Sequence, residues 1–221
     1  VTLLTNARVV RLETNGDGTS VSEVVVERDG AEERFAGDIV AVACGAANTA
    51  KLLLQSANDK HPNGLANGSD QVGRNYMFHA SQAVLALSRE ENPTVFQKTL
   101  GLNDFYFGSD DHDYPLGNIQ MVGKSQAPMF RGEKPTETKL APHWSLEKIA
   151  KHAIDFWLST EDLPLPENRV TIDRDSRLTL AYTPTNDVPK QKLLAQLKSM
   201  LGKLHMEPDH LFGRFAYMKT E

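Results

Sequence analysis

The residues best suited to chemistry sit at a few places in the chain. Cys44-Gly45-Ala46-Ala47 follows the apolar run Ile39-Val40-Ala41-Val42-Ala43 and leads into Leu52-Leu53-Leu54. A helix that starts at such a corner presents unpaired backbone N–H groups and a positive dipole end. Glycine and alanine leave room there for nucleotide phosphate or ribose oxygens, although the same pattern also arises from plain packing of a helix on a sheet. Glu161 ends a strand-like stretch that carries Phe156 and Trp157. Its carboxylate could accept a hydrogen bond from a ligand hydroxyl, or cap a helix or turn together with Asp162. Gln120, within Leu116 to Val122, offers a hydrogen-bonding amide if it lies on the cavity side of its strand, since alternate residues point away.

Asp110-Asp111-His112-Asp113 gathers oxygen and imidazole groups in one short loop. Consecutive residues cannot all converge on one ion, so this reads as a solvated acidic turn. The other histidines, including His143, His152, His205 and His210, show no ligand spacing, and no metal is assigned. Asn168 and Arg169 read as turn and ion-pair residues. Cys44 is the single cysteine; it can close no intrachain disulfide, and on a buried strand it reads as a small hydrophobe rather than a nucleophile.

These residues need elements to position them. Val1 to Leu12 reads as strand, with Val1 to Leu4 already strand interior; Asn15-Gly16-Asp17-Gly18 is a dense turn signal, and Asp29-Gly30 marks a hairpin. A small antiparallel meander is expected, closed by a strand from Glu33 to Phe35. Ile39 to Cys44 has the continuous apolar texture of a strand buried on both faces, followed by a short helix from Ala50 to Gln55 capped by Asn48 or Thr49. After the turn-rich Asp59 to Asp70 a second unit begins, near Gly73-Arg74-Asn75. Its strands are expected at Ser81 to Leu87, Asp104 to Phe107, Leu116 to Val122, Ile154 to Thr160, Arg169 to Asp173 and Leu178 to Tyr182, forming a broad antiparallel sheet. Ser145 to Ala153, capped by Ser145, and a segment after Asp187 bearing Leu193, Leu194, Leu197, Met200 and Leu201 follow helical spacing. Pro189 suits the first turn of the second of these helices. Gly123 to Pro142, with Pro128, Pro135 and Pro142, reads as a long loop. The expected class is α+β.

The chain has 221 residues, with 24 basic against 29 acidic side chains for a net charge of -5, which argues against a nucleic-acid partner. No apolar run approaches the ~20 residues that span a bilayer. The strand-like start at Val1 and the aromatic-rich stretch Phe212 to Met218 near the end make the chain read as a fragment.

Three ordered stretches carry a family resemblance: Val42-Ala43-Cys44-Gly45-Ala46-Ala47-Asn48-Thr49-Ala50-Lys51-Leu52-Leu53, then Asn67 through Gly73-Arg74-Asn75 to His79, then Glu161-Asp162-Leu163-Pro164 through Asn168-Arg169-Val170. Together, after the meander strand Thr5 to Val9, they resemble the middle of the glucose-methanol-choline family of flavoprotein oxidoreductases. The sequence departs from that family's pattern at Ala50, where proline is usual, at Cys44, where alanine is common, and at Phe78, where aspartate often precedes the histidine. The resemblance implies FAD as cofactor, a partial FAD-binding domain over 1–73 (meander, central strand and helix), and a substrate-binding domain over 74–221 with a roughly six-stranded antiparallel sheet and packed helices, incomplete at its end. It implies an oxidoreductase acting on CH–OH donors, a small-molecule alcohol or sugar, with hydride passing to flavin and an unspecified electron acceptor.

By position, Val9, Ala43, Cys44 and Gly45 match the family's adenosine contacts, and Gln120 and Glu161 are the substrate-side candidates. The N-terminal dinucleotide fingerprint and the C-terminal histidine segment of the family have no counterpart in the chain, so no catalytic residue is assigned. The chain alone is expected neither to hold FAD tightly nor to turn over. The competing readings are a related flavin fold doing other chemistry, such as hydroxylation, and a noncatalytic binding or interaction module that keeps the substrate-domain shape.

Overall fold

A computed structural model describes residues 1–204 apart from 89, 97 and 134. Phe212 to Met218, His205 and His210 lie outside the described residues. The described residues divide into two compact units: Val1–Met77 with Pro164–Thr183, and Phe78–Leu163 with 184–204. The first unit thus extends past Gly73 and takes back a later segment, which the reading of a single boundary does not contain.

In the first unit β1 (Ala7–Thr14), β2 (Val21–Arg28) and β3 (Ala31–Phe35) form the antiparallel meander in the order β1-β2-β3. Local chemistry closes both turns. The Asn15 side-chain oxygen accepts from the Thr19 and Ser20 N–H groups at 2.9 and 3.2 Å. Asp29 and Gly30 both take positive φ, 51° and 80°, as a two-residue hairpin of the twist-matched kind requires. Arginine and glutamate alternate across the strands, with Arg28–Glu33 at 2.7 Å and Arg34–Glu23 at 2.9 Å. Such pairs at the surface, the first of them half-buried, stabilise little.

Helix α1 (Gly45–Gln55) packs Leu52 on Leu12 and Leu65. The buried Ser56 ties the end of α1 to β1, accepting from Leu12 N–H at 3.0 Å and donating to Leu52 O at 2.6 Å. The helix begins five residues earlier than its apolar triplet suggests, and its N-cap is Cys44, with no side-chain cap. Thr49 instead accepts from the Cys44 N–H at 3.2 Å.

The expected central strand is absent. Ile39 to Cys44 has no strand partner among the described residues, Ile39 is 90 % exposed, and Cys44 is exposed rather than buried. Val40 and Val42 lean on the Leu12 cluster while Ile39, Ala41 and Ala43 face outward. The residues keep the alternation of an extended chain, but a strand is made by the ladder beside it, and no described segment supplies one. Val1 to Leu4 likewise forms no strand and is exposed.

The second unit is built on a four-stranded antiparallel sheet in the order β4-β7-β6-β5: β4 (Ala80–Leu87), β5 (Gly101–Leu102), β6 (Asn118–Met121) and β7 (Ala153–Thr160). Between β6 and β7 run α2 (Ala127–Glu133), α3 (Pro135–Thr138) and α4 (His143–His152), so the segment read as a long loop is partly helical. Helix α4 starts at His143 with Pro142 as its N-cap, not at Ser145, whose hydroxyl donates back to Pro142 O at 2.7 Å. Helix α5 (Asp187–Lys203) lays Leu193, Leu194, Leu197 and Leu201 on Val84, Ala86, Ile119, Phe156 and Leu158.

Among the described residues this sheet has four strands, where about six are expected. β8 (Arg169–Ile172) and β9 (Leu178–Ala181) pair as a separate ribbon that belongs to the first unit. Asp104 to Phe107 folds as a turn, with Tyr106 N–H donating to Asn103 O at 2.9 Å, and Gly101–Leu102 takes the sheet edge instead. Aromatic content suited Asp104 to Phe107 to a strand, but Gly108, at φ 137°, bends the chain immediately after it. The architecture is α+β, with helices gathered on antiparallel strands.

Candidate functional site

In the first unit the cofactor-side candidates lie at the surface. Val9 sits in β1 opposite Val26, and 37 % of it is exposed. Ala43, Cys44 and Gly45 form the exposed approach to α1. Gly45 takes φ 77°, and a Cβ built on it would meet nothing within 4 Å. The corner therefore has open space above it, a helix start without side-chain cap, and no acidic residue in its first turn. Those features suit the oxygen-rich end of a nucleotide.

In the second unit the pleat separates two surfaces. Phe156, Leu158, Val84 and Ile119 point at α5 and are buried. Their alternates, among them Ser81, Ala83, Trp157, Ser159, Asn118 and Gln120, lie on the other face and are half-buried. Gln120 is directly opposite Trp157 in the β6–β7 register. The Trp157 indole N–H donates to Ser159 Oγ at 3.1 Å, and that hydroxyl lies 3.2 Å from Ser81 Oγ. The ring is thus oriented by its neighbours, whereas the Gln120 amide makes no side-chain hydrogen bond to another described residue. An oriented indole beside an unspent amide is an arrangement that can hold a hydroxylated carbon skeleton. Trp157 was not among the sequence candidates; its place two residues before Ser159 and out of phase with Phe156 was the available signal.

On the same face Asp155 is 2 % exposed. Burial pushes its carboxyl above the usual range, opposed by hydrogen bonds from the Ser125 hydroxyl and backbone N–H and by the nearby Lys124 charge. The Ser125 hydroxyl donates to Asp155 Oδ1 at 2.5 Å, which fastens the start of the α2 segment to β7.

Glu161 lies just beyond β7, exposed, beside a cavity it shares with His112 and Tyr114 and which Gln120 does not line. The structure therefore does not bring the two substrate-side candidates to one cavity. The acidic turn before Tyr114 is anchored: Lys192 pairs with Asp111 at 2.5 Å, and Ser109 donates to the same carboxylate at 2.7 Å. These bonds hold the Asp111 carboxyl down at about 2. Among the described residues no group of acidic, histidine or cysteine side chains is arranged to hold a metal ion, and no helix is long and apolar enough to cross a membrane.

No family model matches the chain. It is 27 % identical over 186 residues to a 2-methyl-1,2-propanediol dehydrogenase of Mycolicibacterium austroafricanum, covering 79 % of this chain and 33 % of that protein. It is 28 % identical over 181 residues to a fructose dehydrogenase large subunit of Gluconobacter japonicus, covering 78 % and 32 %. The chain spans about a third of the length of these curated relatives. Both are dehydrogenases by name.

Proposed function

We propose that the chain forms part of an FAD-dependent oxidoreductase of the glucose-methanol-choline type that takes hydride from the CH–OH group of a small alcohol or sugar. The observation that carries this reading is that two relatives, aligned over 79 % and 78 % of the chain, are named for oxidising a diol and a ketose. The three motif stretches of the sequence supply the flavin part of the proposal. When bound, FAD would accept the hydride, and the protein's task is to position and shield.

In this reading the first unit serves the cofactor: Val9, Ala43, Cys44 and Gly45 lie against the adenosine end, where the open corner and free helix start accommodate it. The second unit serves the substrate through the open face of its sheet. Trp157 offers an indole surface to the C–H side of the substrate, and Gln120 binds a hydroxyl.

The test is purification of the protein from its full open reading frame. Flavin released by acid should be FAD, and its absorbance should bleach when an alcohol or sugar is added without oxygen. Gln120→Ala in that protein should raise KM roughly tenfold with a smaller change in kcat, as expected for loss of a substrate hydrogen bond. Residues 1–221 alone should not retain FAD through desalting. A full-length protein without flavin, or one whose flavin is reduced by a nicotinamide and by no alcohol or sugar, would overturn the proposal.

A further inference from the structure

We propose that the cavity at the start of α5 binds a neutral polyhydroxylated ligand, such as a hexitol or a monosaccharide. The cavity is a half-open cleft of about 640 Å³, within the roughly 300–1,000 Å³ of small-molecule sites. Its wall residues all belong to the second unit. Tyr114, Pro115, Pro184 and Pro189 give it apolar surfaces of little conformational freedom, which suit the C–H faces of a carbon skeleton.

The polar groups decide the ligand class. Glu161, Asp187 and the His112 ring make no side-chain hydrogen bond to another described residue. Asn186 spends its amide N–H on Glu161 O at 2.8 Å and so fixes the backbone from which that carboxylate projects. The loop opposite is held by the Lys192–Asp111 pair, which draws that cation onto Asp111. What remains is a pocket lined by two carboxylates without a side-chain hydrogen bond to another described residue, an imidazole, and no lysine or arginine.

An anion would face Glu161 and Asp187 without a balancing cation. A metal ion would need convergent ligands, which these side chains do not form. A compact organic cation would engage the carboxylates and leave the imidazole unused. A ligand with several hydroxyls can donate to both carboxylates, exchange a hydrogen bond with His112 and rest its carbon chain on the tyrosine and prolines. The inference does not rest on the flavin reading, because it requires neither cofactor nor turnover.

The test is titration of the isotope-labelled chain with D-sorbitol, followed by amide resonances. Saturable shifts should centre on His112, Tyr114, Asn186 and Asp187. Glu161→Gln, which replaces a charged acceptor by a neutral one, should weaken binding roughly fivefold, and Tyr114→Ala should weaken it by a similar factor through lost ring contact. Both positions are exposed, so both variants should fold, and unchanged resonances elsewhere check this. Absence of saturable shifts would overturn the inference. So would equal binding of a hexanediol, which would mean a merely apolar pocket, or displacement of sorbitol by tetramethylammonium, which would mean a cation site. Loss of flavin chemistry in the full-length protein, with sorbitol shifts intact, would overturn only the oxidoreductase reading.

Discussion

In the second unit four strands close one face over the leucines of α5, while in the first the segment leading to Gly45 runs unpaired past a cluster of Leu12, Leu52 and Leu65. The substrate-side candidates Gln120 and Trp157 are therefore positioned by a ladder and a core that the chain itself provides. The cofactor-side candidates are positioned by one helix end and two valines, Val40 and Val42, that touch the smaller cluster. A rigid platform and an open corner make different demands on substitution, and the same chemical change should read differently in each.

The largest contrast is expected for alanine in place of glycine. A Cβ at Gly117 would lie 2.0 Å from Ser159 O, on a backbone with φ 126°, so Gly117→Ala forces β6 away from β7. The expected loss is about 4 kcal/mol or more, at the extreme of single substitutions. At Gly45 a Cβ meets nothing within 4 Å, and only the positive φ of 77° opposes it, so Gly45→Ala should cost about 1 kcal/mol. Urea unfolding of the two variants measures both. Equal losses would mean that the corner is as tightly built as the sheet.

A second contrast concerns side-chain removal. Leu197 is 1 % exposed under the sheet, and Leu197→Ala should cost about 2–5 kcal/mol through lost burial and a residual cavity. Ile39→Ala removes a side chain that is 90 % exposed and should stay within about 0.5 kcal/mol. A large loss at Ile39 would show that this residue is covered in solution and would break the comparison on its weaker side.

The elements legible in the sequence were those whose cause is local. Asn15 and the Asp29-Gly30 pair are turn formers acting within a few residues, and the meander they define is present. The leucine spacing after Asp187 likewise yields α5. What could not be read depends on distant neighbours. Ile39 to Cys44 has the composition of a central strand, but composition cannot supply the adjacent strands. The ribbon at Arg169 and Leu178 has ordinary strand texture, and nothing local says that it joins the first unit. Its tie is long-range: Val170 N–H donates to Gly73 O at 2.8 Å, where a Cβ would fall 2.4 Å from Val170 O. At the candidate site, Gln120 could be named from its residue type, while its pairing with Trp157 needed the register of β6 on β7. The burial of Asp155 was equally hidden, because the Ser125 hydroxyl that meets it lies thirty residues away.

The smallest contrast is between two carboxylates, and its signature is the sign of a pH dependence. Asp155 is buried in the second unit, with its carboxyl raised by desolvation. Its contribution to stability is fully present below the unfolded value of about 3.9 and is lost as pH rises through the higher folded value. Asp70, exposed in the first unit, is lowered by hydrogen bonding to Arg74, against which burial is a weaker opposing effect. Its contribution is present above the unfolded value and is lost as pH falls through the lower folded one. Asp155→Asn and Asp70→Asn should therefore change stability relative to the parent with opposite slopes. The parent should lose ground to Asp155→Asn as pH rises from acid toward neutral, and gain ground on Asp70→Asn over the low-pH range. All other titrating groups are common to each pair, so they cancel in the difference. Unfolding midpoints measured across that range read both slopes directly. Slopes of the same sign would mean that Asp155 is solvated, and that the face bearing Gln120 and Trp157 is wetter than its half-buried side chains imply.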